Sequence, residues 1–125
     1  MKTILMVLAC VLCNSLAQLA LRQGAAAQGS GIVANPLSPA AWGSVLFCPP
    51  VVAGLALWTL STLLWIYVLS GSGLILAYGL YGLNYVLVPL LAHWRLAEPI
   101  SGLQAAGMAL IALGVGCTVA GREAA

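Results

Sequence analysis

The residues in this sequence best suited to bind a ligand are Asn14, Gln18 and Arg22, which follow one another at steps of four within an apolar stretch. Side chains four residues apart lie close together on one face of a helix, so these three form a polar stripe on an otherwise apolar helix. Polar groups in a bilayer are costly without a partner, and the stripe should therefore face another helix, a cavity or a substrate. No carboxylate lies near it along the chain. Two amides and a cation favour a neutral or anionic substrate over a cationic one.

The composition places this stripe in a membrane. The chain has 125 residues, of which 63% are hydrophobic and 5% are charged, whereas about 25% of the residues of a soluble domain are charged. The six residues that carry a full charge are Lys2, Arg22, Arg95, Glu98, Arg122 and Glu123. We therefore predict an integral membrane protein, and we expect no soluble catalytic domain, no enzyme activity and no nucleic-acid partner.

Four apolar windows are long enough to cross a bilayer, which takes about 20 residues in a helix. The windows are continuous and rich in Leu and Ala, so helices are expected rather than the alternating strands of a barrel. The predicted fold is all-α, with residues 1–125 forming a single four-helix transmembrane domain whose spans lie at about 3–21, 51–70, 74–94 and 103–120.

The connection between the first two spans, residues 23–50, is the longest in the chain. We expect the first helix to end at Gly24, just after a cation near its C-terminus. Residues 24–36 are mostly small and should be flexible.

The second part of that connection predicts a short helix. Ser38 followed by Pro39 is typical of an N-cap and a first helical position, and Trp42 and Phe47 suit the lipid interface. We expect an interfacial helix that is broken by Pro49–Pro50 before span two, with a plain solvent-exposed loop as the alternative.

The other links are short. Residues 71–73, which read Gly-Ser-Gly, should join spans two and three in a tight antiparallel hairpin. Pro89 lies inside span three and should kink it or free a carbonyl there. Ser101 and Gln104 form a capping box that starts span four.

Two features of the chain leave its orientation and its first span open to interpretation. Lys2 and Arg122 on one side of the membrane balance Arg22 and Arg95 on the other, so the positive-inside rule does not decide the orientation. Lys2, an apolar core and small residues near Ala17 also resemble a signal peptide. We expect this segment to be retained as a span, because it runs on to Arg22 and no soluble domain follows to be exported.

The cysteines are expected to be structural. Cys10 and Cys13 have the spacing of a redox pair, but they fall within a predicted membrane helix without a His or Asp ligand nearby. Packing as small apolar residues is the simpler interpretation. We predict no disulfide, no metal site and no cofactor.

Span three carries a second group of candidate binding residues. Tyr78, Tyr81 and Tyr85 follow at i, i+3 and i+7, with Asn84 beside them. Tyrosines on one stripe can hydrogen-bond a sugar or stack against an apolar chain. The alternative is packing between helices and anchoring at the lipid interface.

Span four carries small residues that would let another helix approach closely, namely Gly107, Ala109, Gly114 and Gly116. A four-helix protomer encloses little volume, so we predict a dimer contact along this helix. Packing within the protomer is the alternative.

One membrane face collects the remaining polar side chains. Arg22, His93 and Arg95 fall on this predicted face, and guanidinium groups suit phosphate recognition. The alternative is that they anchor the helix ends at the interface. Glu98 is expected to pair with Arg95 or to cap the loop.

These residues resemble those of a known family. Glu98-Pro99-Ile100-Ser101 and the run 107–115 resemble the last span of the small four-helix drug/metabolite transporter superfamily. Residues 77–85 resemble its third span and residues 63–70 its second. The resemblance excludes the long connection at 23–50, which is longer than in that family.

Two branches of the superfamily are relevant. In the small multidrug resistance branch, a glutamate in span one binds protons and cationic drugs in turn, and Asn14 stands at its position. An amide cannot exchange a proton, so the resemblance to the aminoarabinose-phosphoundecaprenol flippase subunits fits better. Their span-one glutamine matches Gln18, and their Leu-Asn-aromatic step matches residues 83–85.

The sequence thus favours a transporter subunit that moves a polyprenyl-phosphate-linked sugar or related anionic lipid across the bacterial inner membrane, as a homodimer or as a heterodimer with a related small transporter. The expected substrate-binding residues are Asn14, Gln18, Arg22, Tyr78, Tyr81, Asn84 and Arg95. One alternative is an exporter of small cationic compounds of the multidrug resistance type. Another is a membrane scaffold subunit of a larger complex.

Overall fold

A computed structural model describes residues 2–28 and 30–123, with side chains up to residue 121. The side chain of Arg122 therefore lies outside the described part. Within this part of the chain there are helices and no strands. The helices are α1 (Lys2–Gln28), α2 (Ser30–Ala34), α3 (Pro39–Leu46), α4 (Pro49–Gly71), α5 (Leu74–Tyr81), α6 (Asn84–Leu96) and α7 (Gly102–Glu123).

Four stretches of the described chain are long and apolar enough to cross a membrane: Lys2–Gln28, Pro49–Gly71, Leu74–Leu96 and Gly102–Gly121. The third stretch combines α5 and α6. The predicted all-α class with four transmembrane helices is therefore confirmed.

α1 and α4 pack against each other in antiparallel orientation. The Cys10 thiol lies beside Ser61, whereas Gly54 faces Ala17 and Leu21, and Gly24 faces Val51. One set of buried positions advances by threes, fours and sevens in α1 and by threes and sevens in α4, which is the spacing of a coiled-coil seam. Those positions are Val7, Cys10, Asn14, Ala17 and Gly24 in α1, and Val51, Gly54, Ser61 and Val68 in α4. Because most of them are small, the two backbones approach closely, which is how helices associate within lipid.

The expected end of the first helix at Gly24 is wrong, because α1 continues to Gln28. Gly24 is buried inside the helix, and its lack of a side chain admits Val51 of α4. Residues 30–34, expected to be flexible, form the short helix α2, and α4 starts at Pro49 rather than after the two prolines. Proline suits a first helical position because its missing N–H has no partner there in any case.

The helix predicted after Ser38 is confirmed as α3. The Ser38 hydroxyl accepts a hydrogen bond from the Ala41 N–H at 3.4 Å, and Pro39 occupies the first position. The Trp42 indole donates to the Pro36 carbonyl at 2.9 Å, which ties α3 to the turn before it. Phe47 is 84% exposed. These exposed aromatic rings lie at the end of the bundle where α1 ends and α4 begins.

The third span is interrupted at Gly82–Leu83, between α5 and α6. Here the Tyr85 N–H bonds to the carbonyl of Gly82 at 3.0 Å, three residues back, instead of the carbonyl of Tyr81, four residues back. Pro89, expected to kink this span or to free a carbonyl there, lies inside α6, beyond the interruption. The carbonyl of Tyr81 is thereby released from the helical ladder in the middle of the span.

α7 packs on α5 and α6. A side chain at Gly79 would overlap Thr118 of α7, and one at Gly82 would crowd Val115, so these two glycines admit the fourth span. The predicted capping box is confirmed: Ser101 N–H donates to Gln104 Oε1 at 2.8 Å, and Gln104 N–H donates to Ser101 Oγ at 3.3 Å.

The glycine contacts generate a stability prediction. In Gly24→Ala the new methyl group would overlap the Val51 side chain, so we expect a loss of about 1–3 kcal/mol of unfolding free energy, typical of overpacking. The matched control is Gly102→Ala, where nothing lies within 4 Å. Equilibrium unfolding in mixed detergent micelles measures both. Equal stability of the two variants would contradict the close α1–α4 contact.

Candidate functional site

The polar stripe of α1 meets the interrupted third span in a buried cluster of three residues, Asn14, Ser15 and Asn84. Asn14 Nδ2 donates to Asn84 Oδ1 at 3.2 Å, and Ser15 Oγ lies within donating distance of the same oxygen at 3.0 Å. Asn14 is 6% exposed and Asn84 is 8% exposed. The cluster therefore holds α1 against the third span inside the apolar layer.

Asn84 is held by the break in its own helix. Its Nδ2 donates at 3.3 Å to the carbonyl of Tyr81, the group that the interruption releases. Both ends of the Asn84 amide are thus engaged, one by α1 and the other by the backbone. A buried amide satisfied in this way is rigid, and it fixes the position of Asn14.

A cavity of about 380 Å³ opens beside this cluster. Asn14, Gln18, Tyr81 and Asn84 line it, and Tyr85, Val88 and Pro89 complete the lining. Among the described residues no buried side-chain nitrogen or oxygen lacks a hydrogen-bond partner. The Asn14 side-chain oxygen has no hydrogen-bond partner among these residues, so it is not fully buried. It can therefore accept a hydrogen bond from a molecule in the cavity.

A second cavity of about 160 Å³ lies on the α4 side and shares Asn14 and Tyr81 with the first. Trp65 of α4 packs against two tyrosines, with ring centroids 4.8 Å from Tyr81 and 5.3 Å from Tyr78. Trp58 and Ser61 line the same cavity. The site is thus a polar centre bordered by aromatic faces.

Sequence reasoning missed the contribution of α4 to this site. Trp58, Ser61 and Trp65 are spaced at i, i+3 and i+7, which is the pattern of one helix face and could have revealed them. Their individual side chains are ordinary in a membrane helix. Only their packing against α1 and α5 brings them to the cavity.

The thiol of Cys10 hydrogen-bonds across the α1–α4 seam. It lies 3.2 Å from both the hydroxyl and the carbonyl of Ser61, and the Ser61 hydroxyl donates to the Cys10 carbonyl at 3.0 Å. Cys13 is only partly buried. Cys10 therefore acts as a small packing residue between the two helices.

At the end of the stripe, Arg22 Nη2 lies 3.0 Å from Glu98 Oε1. The expected pairing of Glu98 with Arg95 is wrong, because the guanidinium of Arg95 lies 5.8 Å from the Trp94 ring centroid and the α6–α7 link turns Glu98 towards α1. His93 Nδ1 lies 2.7 Å from the Glu98 carbonyl oxygen. The stripe, which lacks a nearby carboxylate in sequence, therefore meets one in space.

The structure brings together some of the expected binding residues and separates others. Asn14, Gln18, Tyr81 and Asn84 line one cavity. Arg22 follows Gln18 by one turn, and Tyr78 is 58% exposed beside Trp65. Arg95 is exposed and is not among the residues that line this cavity.

The small residues of α7 lie on two flanks of the helix. Gly107 and Gly114 are seven residues apart and share one flank, whereas Ala109 and Gly116 share another, about 140–180° around the axis at 3.6 residues per turn. A side chain added at any of the three glycines would meet nothing within 4 Å, and Ala109 is exposed. One helix–helix contact can use only one of these flanks.

Comparison with known proteins supports the resemblance seen in the sequence. The chain is 42% identical over 55 residues to a protein of Sodalis glossinidius (strain morsitans) named "Probable 4-amino-4-deoxy-L-arabinose-phosphoundecaprenol flippase subunit ArnE". The aligned part is 44% of this chain and spans half of the relative's length. No family model and no solved structure matches the chain. The four apolar helices and this similarity support the expected location, a multi-pass protein of the bacterial inner membrane.

The amide cluster generates a prediction about coupling. Asn14→Leu and Asn84→Leu should each lower the unfolding free energy, because each removes the hydrogen bond between the two amides. The double variant should lose less than the sum of the two losses, by about 1 kcal/mol, the size of an interhelical hydrogen bond in a membrane. Strictly additive losses in mixed detergent micelles would show that the two amides do not interact.

Proposed function

We propose that this chain is a transporter subunit that moves a polyprenyl-phosphate-linked sugar or a related anionic lipid across the bacterial inner membrane. The observation that carries the proposal is the buried Asn14–Ser15–Asn84 cluster opening into the cavity lined by Gln18 and Tyr81. Polar groups at such depth are expensive and generally serve passage or binding. The similarity to a protein named as a flippase subunit supports the same role.

The cavity offers complementary contacts to a sugar. The Asn14 oxygen and the Gln18 amide can bond hydroxyl or amino groups, and the faces of Trp65 and Tyr81 suit the apolar side of a sugar ring. Arg22, one turn beyond Gln18, would meet the phosphate. The prenyl chain would stay in lipid, so the protein need shelter only the headgroup. Movement of this kind forms and breaks no covalent bond.

A second candidate function is the export of small cationic compounds. Trp65 with Tyr78 and Tyr81 presents aromatic faces that attract cations, which favours this alternative. Against it, Asn14 can neither release a proton nor neutralise a cation. Proton-coupled efflux of a quaternary ammonium compound from vesicles would support the exporter over the flippase.

A third candidate, a membrane scaffold, predicts that polar substitutions in the cavity are tolerated. A scaffold needs helix contacts but no headgroup site, so loss of the Gln18 amide would leave its role intact.

Translocation of a lipid-linked aminosugar tests the proposal. Asn14→Leu and Gln18→Leu should slow the appearance of the sugar in the opposite leaflet by about tenfold or more, because each removes a polar contact worth about 1–2 kcal/mol to the headgroup. The measurement uses proteoliposomes containing the chain with its partner subunit and an amine-reactive reagent that does not cross the membrane.

The matched control for these variants is Thr59→Val. Thr59 lies on an exposed face of α4, and its hydroxyl bonds only to the carbonyl of Leu55. The Thr59→Val variant should translocate the lipid-linked sugar at the wild-type rate. Insertion into the membrane should be unchanged in all variants. Wild-type rates in both cavity variants would contradict the headgroup site and favour the scaffold.

We further propose that the subunit works as a dimer joined through α7, either with a second copy or with a related small transporter. The flank carrying Ala105, Ala109, Ala112 and Gly116 advances by fours and threes and is exposed throughout. The other flank is less suitable, since Gly107 is partly buried beside the cavity between α6 and α7.

Cysteine cross-linking tests the dimer. In a cysteine-free background, Ala109→Cys and Gly116→Cys should form cross-links to the partner, whereas Gly107→Cys and Gly114→Cys should not, because they face away from the contact. Both a second copy and the co-expressed small transporter are probed. Cross-linking through residues 107 and 114 alone, or through none of the four positions, would contradict this contact.

A further inference from the structure

The Arg22–Glu98 pair lies at the end of the proposed headgroup path. Glu98 lines a cavity of about 300 Å³ together with Tyr85 and Pro89, and those two residues also line the cavity at Asn14. The two cavities therefore adjoin each other along α6. Arg22, one turn beyond Gln18 on α1, places its guanidinium beside Glu98, which lines the outer of these two cavities.

The carboxylate at this point is held in place by the link between α6 and α7. Ala97 adopts a left-handed conformation with φ 53°, which ends α6 and redirects the chain, and His93 Nδ1 lies 2.7 Å from the Glu98 carbonyl oxygen. The link thus aims Glu98 at α1. Arg95, the other cation in this part of the described chain, rests on Trp94 instead of pairing with Glu98.

One guanidinium therefore faces two candidate anions. Glu98 Oε1 lies 3.0 Å from Arg22 Nη2. A lipid phosphate that reaches Arg22 must therefore share this contact with Glu98 or replace it. The side chains of Arg22 and Glu98 are 58% and 43% exposed, and an ion pair exposed to this extent is weak. A phosphate carries more charge and can engage the guanidinium through two oxygens, so it competes favourably.

We propose that Glu98 is an internal competitor for the phosphate-binding residue Arg22, displaced when the phosphate of a lipid headgroup binds and restored when it leaves. The inference rests on the proposed function and adds a regulatory role for Glu98. In this scheme Glu98 keeps Arg22 oriented in the empty protein, and its return to Arg22 assists release of the lipid. Glu98 thereby lowers the affinity of the site for the lipid phosphate and speeds its release.

Binding of undecaprenyl phosphate to the full chain in phosphatidylcholine nanodiscs tests the competitor role. Glu98→Gln should bind about two- to fivefold more tightly, because an exposed ion pair worth up to about 1 kcal/mol can withhold no more than that. Arg22→Gln should bind about tenfold more weakly, the scale of one charge-assisted hydrogen bond. The double variant should bind like Arg22→Gln alone, because Glu98 acts only through Arg22. This double variant is also the control for general electrostatics, since a nonspecific charge effect of Glu98→Gln would persist in it.

Three outcomes would overturn the competitor role. They are unchanged or weaker binding in Glu98→Gln, an equal gain in the Arg22→Gln background, and the same gain for undecaprenol, which lacks the phosphate. Inorganic phosphate that competes at the concentration of the lipid would assign the site to the free anion and overturn the lipid headgroup as its ligand. The binding measurement involves no translocation and no sugar, so it separates failure of the competitor from failure of the proposed transport.

Discussion

The hydrogen bonds that Asn84 makes inside the membrane are the interaction on which the rest of this structure depends. One amide joins the first span, through Asn14 and Ser15, to the backbone carbonyl that the broken third span releases at Tyr81. In lipid an unsatisfied amide or carbonyl is expensive, so the break and the amide are tolerated only together. The cavity of about 380 Å³ lies beside this same contact.

Around that contact, small residues determine which helices can approach. Gly24 and Gly54 let α4 close against one side of α1, and Gly79 and Gly82 let α7 close against the third span. The resulting order of neighbours is α4, α1, the third span and α7. The site lies where α1 meets its neighbours on both sides, and α7 is left with an exposed surface.

Much of this architecture follows from the sequence. Continuous apolar windows give the four spans, Ser38 with Pro39 gives α3, and Ser101 with Gln104 gives the start of α7, because these signals are local. The continuation of α1 through Gly24 and the Arg22–Glu98 pair were not predicted. Both depend on which part of the chain lies opposite. Val51 of α4 lies opposite Gly24, and the α6–α7 link lies opposite Arg22; local sequence patterns do not contain this information. Likewise Asn14, Gln18, Tyr81 and Asn84 were predictable as candidates, but the roles of Trp58, Ser61 and Trp65 required the packing.

The proposed function depends on the polar cavity between α1 and the third span. Spin labels at Gln18 and Leu16 in a cysteine-free background test it most directly, because both positions are exposed at similar depth and lie about 200° apart on α1. Power saturation should show that a water-soluble nickel chelate relaxes the label at Gln18, whereas oxygen chiefly relaxes the label at Leu16. A polyprenyl-phosphate-linked sugar should reduce the access of the chelate to the label at Gln18. Oxygen-dominated relaxation at both positions would contradict a polar path at Asn14 and Gln18.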